Sequence, residues 1–175
     1  MQKWNRVYNL TAVREATKMV THHLLDCLAV TPLIDGRTLL DVGSGAGLPG
    51  IPIAIARPSL QVTLLESSHK KAAFLRQVVA EVGLPNVQVE CTRVESWHPP
   101  QGYDVVISRA FSDLADFARL SGHLLAPGAV LAAMKGLHPF EELSQLPQGY
   151  RVLDIVPVTV PGLDAQRHLV CLSAI

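Results

Sequence analysis

Short apolar runs alternate with stretches of helical periodicity along most of the chain. The helical patterns cover residues 14–31, 53–58, 70–82 and 112–125, and residues 3–13 predict a further short helix. The apolar runs that predict buried strands are 38–42, 61–65, 87–90, 103–108 and 129–134. A helix between successive strands predicts parallel pairing with right-handed crossovers.

The alternation changes after Lys135. A short helix is predicted near residues 140–146, and apolar runs follow at 150–160 and 168–174 with Pro161-Gly162 between them. Two late strands joined by a short loop indicate an antiparallel hairpin at the edge of the sheet. We therefore predict an α/β, Rossmann-like fold: a mostly parallel seven-stranded sheet with a C-terminal antiparallel hairpin and helices on both faces.

The composition agrees with this fold. Hydrophobic residues make up 49% of the 175 residues and charged residues 17%, as expected for a sheet covered on both faces. The formal net charge is zero, so nucleic-acid binding would need a local basic patch. Cys27, Cys91 and Cys171 form no CxxC pair, and His22 and His23 lack partners at metal-ligand spacing. We expect free thiols and no metal.

The N-terminus lacks the charge and apolar pattern of a signal peptide, and no apolar run approaches the ~18 residues of a membrane span. We therefore expect a cytoplasmic monomer with no membrane partner.

A glycine-rich stretch after the first strand is the clearest ligand-binding motif. Asp41 is followed by Gly43, Gly45 and Gly47, and a helical pattern begins soon after. Glycine tolerates positive φ and lets a ligand approach the main chain. Residues 45–50 match the G-x-G-x-x-G dinucleotide fingerprint. The longer D-x-G-x-G-x-G spacing resembles the motif of class I S-adenosylmethionine (SAM)-dependent methyltransferases, in which Asp41 would hold the amino-acid part of SAM or shape the loop.

Glu66 ends the second strand, about 20 residues after Gly43. A carboxylate at this position can accept hydrogen bonds from both ribose hydroxyls of an adenosine. SAM and NAD both contain adenosine, so Glu66 does not distinguish a methyltransferase from a nicotinamide-dependent reductase. The predicted hairpin favours SAM, because a dehydrogenase would continue with a second mononucleotide half.

Cations follow the fourth and fifth strands. Arg109 comes directly after the fourth strand and Lys135 after the fifth, and ligands in such sheets lie beyond these strand ends. After the fourth strand the chain has neither the (N/D)PP(Y/F/W) motif of amine methylation nor a cysteine for attack on cytosine C5. Guanidinium and ammonium groups fit phosphates and the O6/N7 edge of guanine. The alternative role for both side chains is pairing with carboxylates.

Several segments in order resemble a single family: KWNRVYNLTAVR at 3–14, DVGSGAGLPGIP at 41–52, FLRQV at 74–78, VISRAF at 106–111, MKG at 134–136 and RHLV at 167–170. Together they resemble the bacterial small-subunit ribosomal RNA guanine-N7 methyltransferases, the glucose-inhibited division protein B family. The family has a further helical segment before the Trp4-Asn5 motif. We therefore expect residues 1–36 to be a truncated N-terminal helical segment and residues 37–175 to be the SAM-dependent methyltransferase domain.

The resemblance implies which residues bind SAM, and the cations of the chain are our candidates for binding RNA. The implied SAM contacts are Gly43, Leu48, Val94, Glu95 and Arg109. The candidates for the RNA-facing surface are Lys70, Arg109, Lys135 and Arg167, with Arg14 as a weaker one.

The resemblance also implies the activity: transfer of the SAM methyl group to N7 of a guanine in the 530 loop of 16S ribosomal RNA, with that RNA or the ribosomal subunit as partner. Guanine N7 has a free lone pair, so in-line attack needs no general base. Arg109 and Lys135 would act by positioning and electrostatics. The alternatives are a SAM methyltransferase with another substrate, a nicotinamide-dependent reductase and a non-catalytic RNA-binding module.

Overall fold

The computed structural model describes residues 11–13, 15–109, 111 and 113–175. Its strands are β1 Thr38–Val42, β2 Gln61–Leu65, β3 Val87–Glu90, β4 Tyr103–Ser108, β5 Leu125–Lys135, β6 Tyr150–Pro157 and β7 His168–Ala174. They form one sheet in the order β3-β2-β1-β4-β5-β7-β6.

The strand pairing confirms the predicted fold class. The pairs β1–β2, β1–β4, β2–β3 and β4–β5 are parallel. β7 lies between β5 and β6 and runs antiparallel to both. β6 ends at Pro157, earlier than predicted, and a turn follows in which the N–H of Leu163 donates to the carbonyl of Val160.

Strand β5 starts earlier than its sequence pattern predicts. It begins at Leu125, which pairs with Tyr103, and the register then shifts so that residues 126–129 bulge out of the ladder. Gly128 has a φ of +77° within this bulge. The Pro127-Gly128 pair, which immediately precedes the predicted strand 129–134, therefore interrupts a strand that has already begun.

The helices lie at the predicted places, with different ends. The α-helices are α1 Ala16–Met19, α2 Asp26–Val30, α3 Gly50–Ala56, α4 His69–Val82, α5 Leu114–Ser121 and α6 Phe140–Leu143. A π-helix, Val20–Leu25, joins α1 to α2, and 3-10 turns cover Thr31–Leu33, Val94–Ser96 and Gly122–Leu124. The helix predicted over 14–31 is thus divided into several segments, and the predicted helix over 3–13 lies largely outside the described residues.

Local capping sets two of the helix boundaries. The Asp113 carboxylate accepts hydrogen bonds from Ala115 N at 2.7 Å and Asp116 N at 3.0 Å. An N-cap of this kind starts a helix at the next residue, so α5 begins at Leu114. At the C-terminal end of α4, Gly83 takes a left-handed conformation with φ of +72°, as its position after the helix predicts.

The core lies on both faces of the sheet. Alternate residues of β1 face opposite sides: Leu39 packs in one cluster with Ile53 of α3 and Phe74 of α4, whereas Leu40 packs in a second cluster with Phe117 of α5. This alternation is the period-two pattern of a strand covered on both sides. The predicted helical cover on both faces is therefore present.

The helices in the described part of the chain are too short, or too polar, for any of them to cross a bilayer. Cys27, Cys91 and Cys171 are free thiols. The division into segments 1–36 and 37–175 stays a prediction.

Candidate functional site

The glycine loop after β1 is held by its own backbone and by the neighbouring strand. The N–H groups of Gly43 and Ser44 both donate to the carbonyl of Leu65, at 2.9 and 3.2 Å. Gly43, Gly45 and Gly47 have φ values of 73°, 54° and 83°. Such angles favour glycine, so the sequence spacing reflects backbone conformation.

Asp41 connects the end of β1 to the start of α3, on either side of the glycine loop. Its side chain is fully buried, and Oδ2 accepts a hydrogen bond from Gly50 N at 2.9 Å, at the start of α3. Burial is the main reason that the pKa of Asp41 rises to about 7. The second oxygen, Oδ1, has no hydrogen-bond partner in the described part of the chain. These contacts shape the loop, and a contact with SAM stays a prediction.

Glu66 connects the loop to the segment after β2. Its Oε2 accepts from Gly45 N at 2.9 Å, and its Oε1 accepts from Ser68 N at 2.8 Å. An ionised carboxylate has about four acceptor positions, so two backbone donors leave capacity for a ligand. Glu66 is only 6% exposed and does not line the cavity described next, and its predicted ribose contact stays a prediction.

A cavity of about 220 Å³ opens at the carboxyl ends of β1 and β2. Three of the predicted SAM contacts, Gly43, Val94 and Glu95, line it. Leu48 does not: it is buried beside Cys27 and Ala46. The cavity is also lined by Ser67, Thr92, Arg93 and Phe111, which the sequence patterns did not single out.

A second cavity, of about 270 Å³, collects three of the four predicted RNA-binding cations. Arg109, Lys135 and Arg167 line it, together with Asp26 and His168. Arg109 directly follows β4 and Arg167 directly precedes β7, whereas the other three residues lie in β5, β7 and α2. The cavity therefore opens where β4 and β5 end and β7 begins. We call this the cationic cavity. Of the remaining predicted cations, Lys70 is exposed in the first turn of α4, away from this lining, and Arg14 lies outside the described residues.

The two arginines of the cationic cavity share one carboxylate. Arg167 Nε donates to Oδ1 of Asp26 at 3.0 Å, and Arg109 Nε lies 3.7 Å from Oδ2 of the same residue. Asp26 is only 2% exposed. Lys135 pairs instead with Glu142, at 2.7 Å. The carboxylate pairing that we weighed for Arg109 and Lys135 is therefore present, and both side chains still line the cavity.

His23 packs beside the same guanidinium. Nη2 of Arg109 donates to the backbone carbonyl of His22 at 3.1 Å and lies 3.1 Å from Nδ1 of His23. Burial, and then the charge of Arg109, lower the pKa of His23. Among the described residues, no three His, Cys, Asp or Glu side chains are grouped so as to hold a metal ion.

Asp26 and Glu142 are the residues that sequence reasoning missed. Asp26 interrupts an apolar run, Leu24 to Val30, at a position on the buried face of its helix. A charged residue at a core position is itself a signal of function, and it was available in the sequence. Glu142 had no such signal, because acidic residues at the start of a short exposed helix are common.

The comparisons with known proteins agree on one family. The family model described as "rRNA small subunit methyltransferase G" matches residues 1–170. A protein of Chromobacterium violaceum named ribosomal RNA small subunit methyltransferase G is 59% identical over 169 residues, which is 96% of this chain and 81% of that protein. One of the same name from Laribacter hongkongensis is 56% identical, over 99% of this chain and 84% of its own.

Solved structures support the fold. The glycopeptide N-methyltransferase MtfA, complexed with S-adenosyl-L-homocysteine, superposes with a TM-score of 0.73 at 14% identity and 87% coverage of each chain. A SAM-dependent methyltransferase from Aquifex aeolicus gives a TM-score of 0.66 at 19% identity, covering 94% of this chain and 96% of its own. The family match and the close relatives together show that the chain belongs to the GidB family, the rRNA small subunit methyltransferases G.

Proposed function

We propose that this protein transfers the methyl group of SAM to N7 of a guanine in 16S ribosomal RNA, within the 530 loop. The observation that carries the proposal is the segment after β4, which touches both cavities. Arg109 lines the cationic cavity, and Phe111 lines the cavity that contains Gly43, Val94 and Glu95. A donor in one cavity and a substrate in the other would meet at this segment.

The cavity at the ends of β1 and β2, which we call the donor cavity, fits an adenosine-containing ligand. Val94 and Glu95 begin a 3-10 turn that lines this cavity, and a backbone N–H and a carboxylate there would read an adenine edge. Gly43 supplies exposed main chain, and Glu66 supplies a carboxylate with remaining acceptor capacity. Asp41, Gly45, Gly47 and Leu48 would support this site by holding the loop, and Arg109 would reach it from β4.

SAM, when bound, supplies an electrophilic methyl group. Guanine N7 has a lone pair and carries no proton, so its methylation leaves no proton for a general base to remove. The work of the chain is then to place guanine N7 in line with the methyl group. Arg109 and Lys135 are the proposed catalytic residues because their donors fit the guanine O6 beside N7.

The cationic cavity is the proposed contact with RNA. Arg109, Lys135 and Arg167 would bind phosphate or the guanine edge there, and Lys70 would contact the backbone from α4. The proposed partner is 16S ribosomal RNA or the small ribosomal subunit, met by a monomer in the cytoplasm.

Methylation followed by mapping of the product tests the proposal. Purified protein is incubated with small-subunit RNA and SAM tritiated on the methyl group, and the labelled base is identified. We expect one 7-methylguanine in the 530 loop. Label at another atom or base would show that the protein is a SAM methyltransferase with a different specificity. Titration calorimetry with SAM and with NADH separates the reductase alternative, and SAM binding without transfer would indicate a non-catalytic RNA-binding module.

A further inference from the structure

We propose that Asp26 is a positioning residue for the cationic cavity, holding Arg109 and Arg167 side by side so that both face an RNA anion before it binds. This inference rests on the proposed function, because it assigns the residue that organises the same substrate site.

The geometry places one carboxylate between two guanidinium groups. Oδ1 accepts from Nε of Arg167 at 3.0 Å, and Oδ2 lies 3.7 Å from Nε of Arg109. Asp26 and Arg167 are 141 residues apart in the chain. All three side chains line the cationic cavity. Asp26 therefore joins α2, the end of β4 and the start of β7 at the place where the substrate is proposed to bind.

The burial of Asp26 argues against a purely structural role. Its side chain is 3% exposed, whereas those of Arg109 and Arg167 are 27% and 23% exposed. Removing a carboxylate from water is costly, and buried ion pairs are often no more stabilising than apolar residues of similar size. A fold that needed only a filled space here would be served as well by leucine. The carboxylate makes sense as a way to orient the two arginines.

After pairing with Asp26, the two arginines still carry positive charge and unused hydrogen-bond donors. One carboxylate neutralises one of two guanidinium groups, so the trio keeps a net positive charge. Nη1 of Arg109 is buried and has no acceptor in the described part of the chain. A phosphate oxygen or a guanine O6 in the cavity would instead meet the exposed parts of the two guanidinium groups, which match such oxygens in a planar fork.

The helical segment that carries Asp26 places its side chain beside Arg109. The π-helix Val20–Leu25 comes immediately before α2 and has a wider turn than an α-helix. His23 and Asp26 are both buried on the side that faces Arg109. π-Turns of this kind occur frequently at functional sites. The guanidinium of Arg109 is thus held by two side chains from one helical stretch.

The test is a double-mutant cycle on methyl transfer to small-subunit RNA. Asp26→Asn keeps the side-chain shape and removes the charge. We expect kcat/KM for RNA to fall at least ~10-fold, since small displacements of positioning groups are costly to rate. In an Arg167→Ala background the same substitution should have a clearly smaller effect, because residues that act through one another are not additive.

Asp116→Asn is the matched control. Asp116 pairs with Arg119 at 3.0 Å on the exposed surface of α5, so this variant also breaks a carboxylate–arginine pair. It should keep wild-type kcat/KM. Circular dichroism of each variant shows that it is folded. An Asp26→Asn variant with the kcat/KM of the Asp116→Asn control, or effects that simply multiply in the cycle, would overturn the inference.

A measurement on the unaltered protein decides the matter if Asp26→Asn does not fold. The Nε–H group of Arg167 should give a protected NMR signal in the RNA-free protein, because it donates to Oδ1 of Asp26 at 3.0 Å. Rapid exchange of this signal would refute the pre-positioning. Absence of methyl transfer by the wild-type protein would refute the proposed function instead, and it would leave this NMR result to decide the role of Asp26.

Discussion

Glu142 lies 2.7 Å from Lys135 and also accepts a hydrogen bond from the N–H of Leu114 at 2.9 Å. One carboxylate therefore ties the end of β5 to the first residue of α5. The Lys135 side chain is only 10% exposed, so this ion pair is more shielded from solvent than a surface pair.

Glu142→Gln should reduce the free energy of unfolding by about 2 kcal/mol, the typical value of a hydrogen bond to a charged group. Glu141→Gln is the control, because Glu141 is the exposed neighbour on the same short helix. Its effect should stay within about 0.5 kcal/mol. Urea unfolding of the two variants measures the difference, and equal stabilities would show that the ion pair contributes nothing.

Arg109→Ala should impair methyl transfer while leaving the protein folded. We expect kcat/KM to fall about 100-fold, the usual loss when one donor of a pre-organised electrostatic site is removed. Arg119→Ala, which removes an exposed arginine on α5, should retain wild-type activity. Tritiated-methyl transfer to small-subunit RNA provides the rates, and normal turnover by Arg109→Ala would contradict the proposed role of this residue.

Asp41 should make stability fall as pH rises. Burial raises the folded-state pKa of Asp41 to about 7 from an ordinary value of 3.8, so the unfolded chain releases this proton first. Stability is therefore lost between about pH 4 and pH 7, at up to about 1.4 kcal/mol per pH unit, and the loss is complete above that range. Asp41→Asn should lack this slope in urea-unfolding curves measured across the range.

Asp104 supplies a control of opposite sign. Hydrogen bonds from the backbone N–H groups of Arg37 and Thr38, at 2.7 and 3.0 Å, lower the pKa of Asp104. Its contribution is present above its ordinary pKa and is lost as pH falls through the lowered value. Asp104→Asn should therefore remove stability at neutral pH and less of it in acid. The same slope in both variants would contradict the assignments.

Gly47→Ala should cost more stability than Gly83→Ala, although both glycines have positive φ. A Cβ on Gly83 would meet no atom within 4 Å, so only the backbone strain of about 1–2 kcal/mol is expected. A Cβ on Gly47 would lie 2.3 Å from Cδ1 of Ile51 and 3.2 Å from Cδ2 of Leu75. Thermal unfolding compares the two variants. Titration with SAM should show weaker binding only for Gly47→Ala. Equal binding by the two variants would show that the glycine loop does not contribute to the donor site.

The strands were predictable because each apolar run is bounded by turn residues, and β1 to β4 have the predicted bounds. β5 was not, because its first residues form a bulge whose pairing depends on Tyr103 in another strand. The π-helix was missed for a related reason: one wide turn hardly changes the spacing of apolar residues. Local sequence specifies the elements, and contacts between distant segments set their ends.

The residues of the candidate site were likewise predictable from the sequence only in part. The order of elements along the chain is enough to predict that Arg109 and Lys135 lie at the carboxyl edge, because parallel strands end together there. Their partners, Asp26 and Glu142, come from helices whose docking no local pattern reveals. Lys70 was a candidate for the RNA-facing surface because it is a cation, and it does not line the cationic cavity.

The last strand of the chain, β7, lies between β5 and β6. The two cavities therefore receive their last residues at different stages of synthesis. Every residue that lines the donor cavity belongs to the stretch 42–111, whereas the cationic cavity needs residues 167 and 168. A chain still emerging from the ribosome therefore contains every residue of the first cavity while the second lacks part of its wall. On the proposed assignment of the two cavities, the donor site would be complete in the nascent chain before the RNA site.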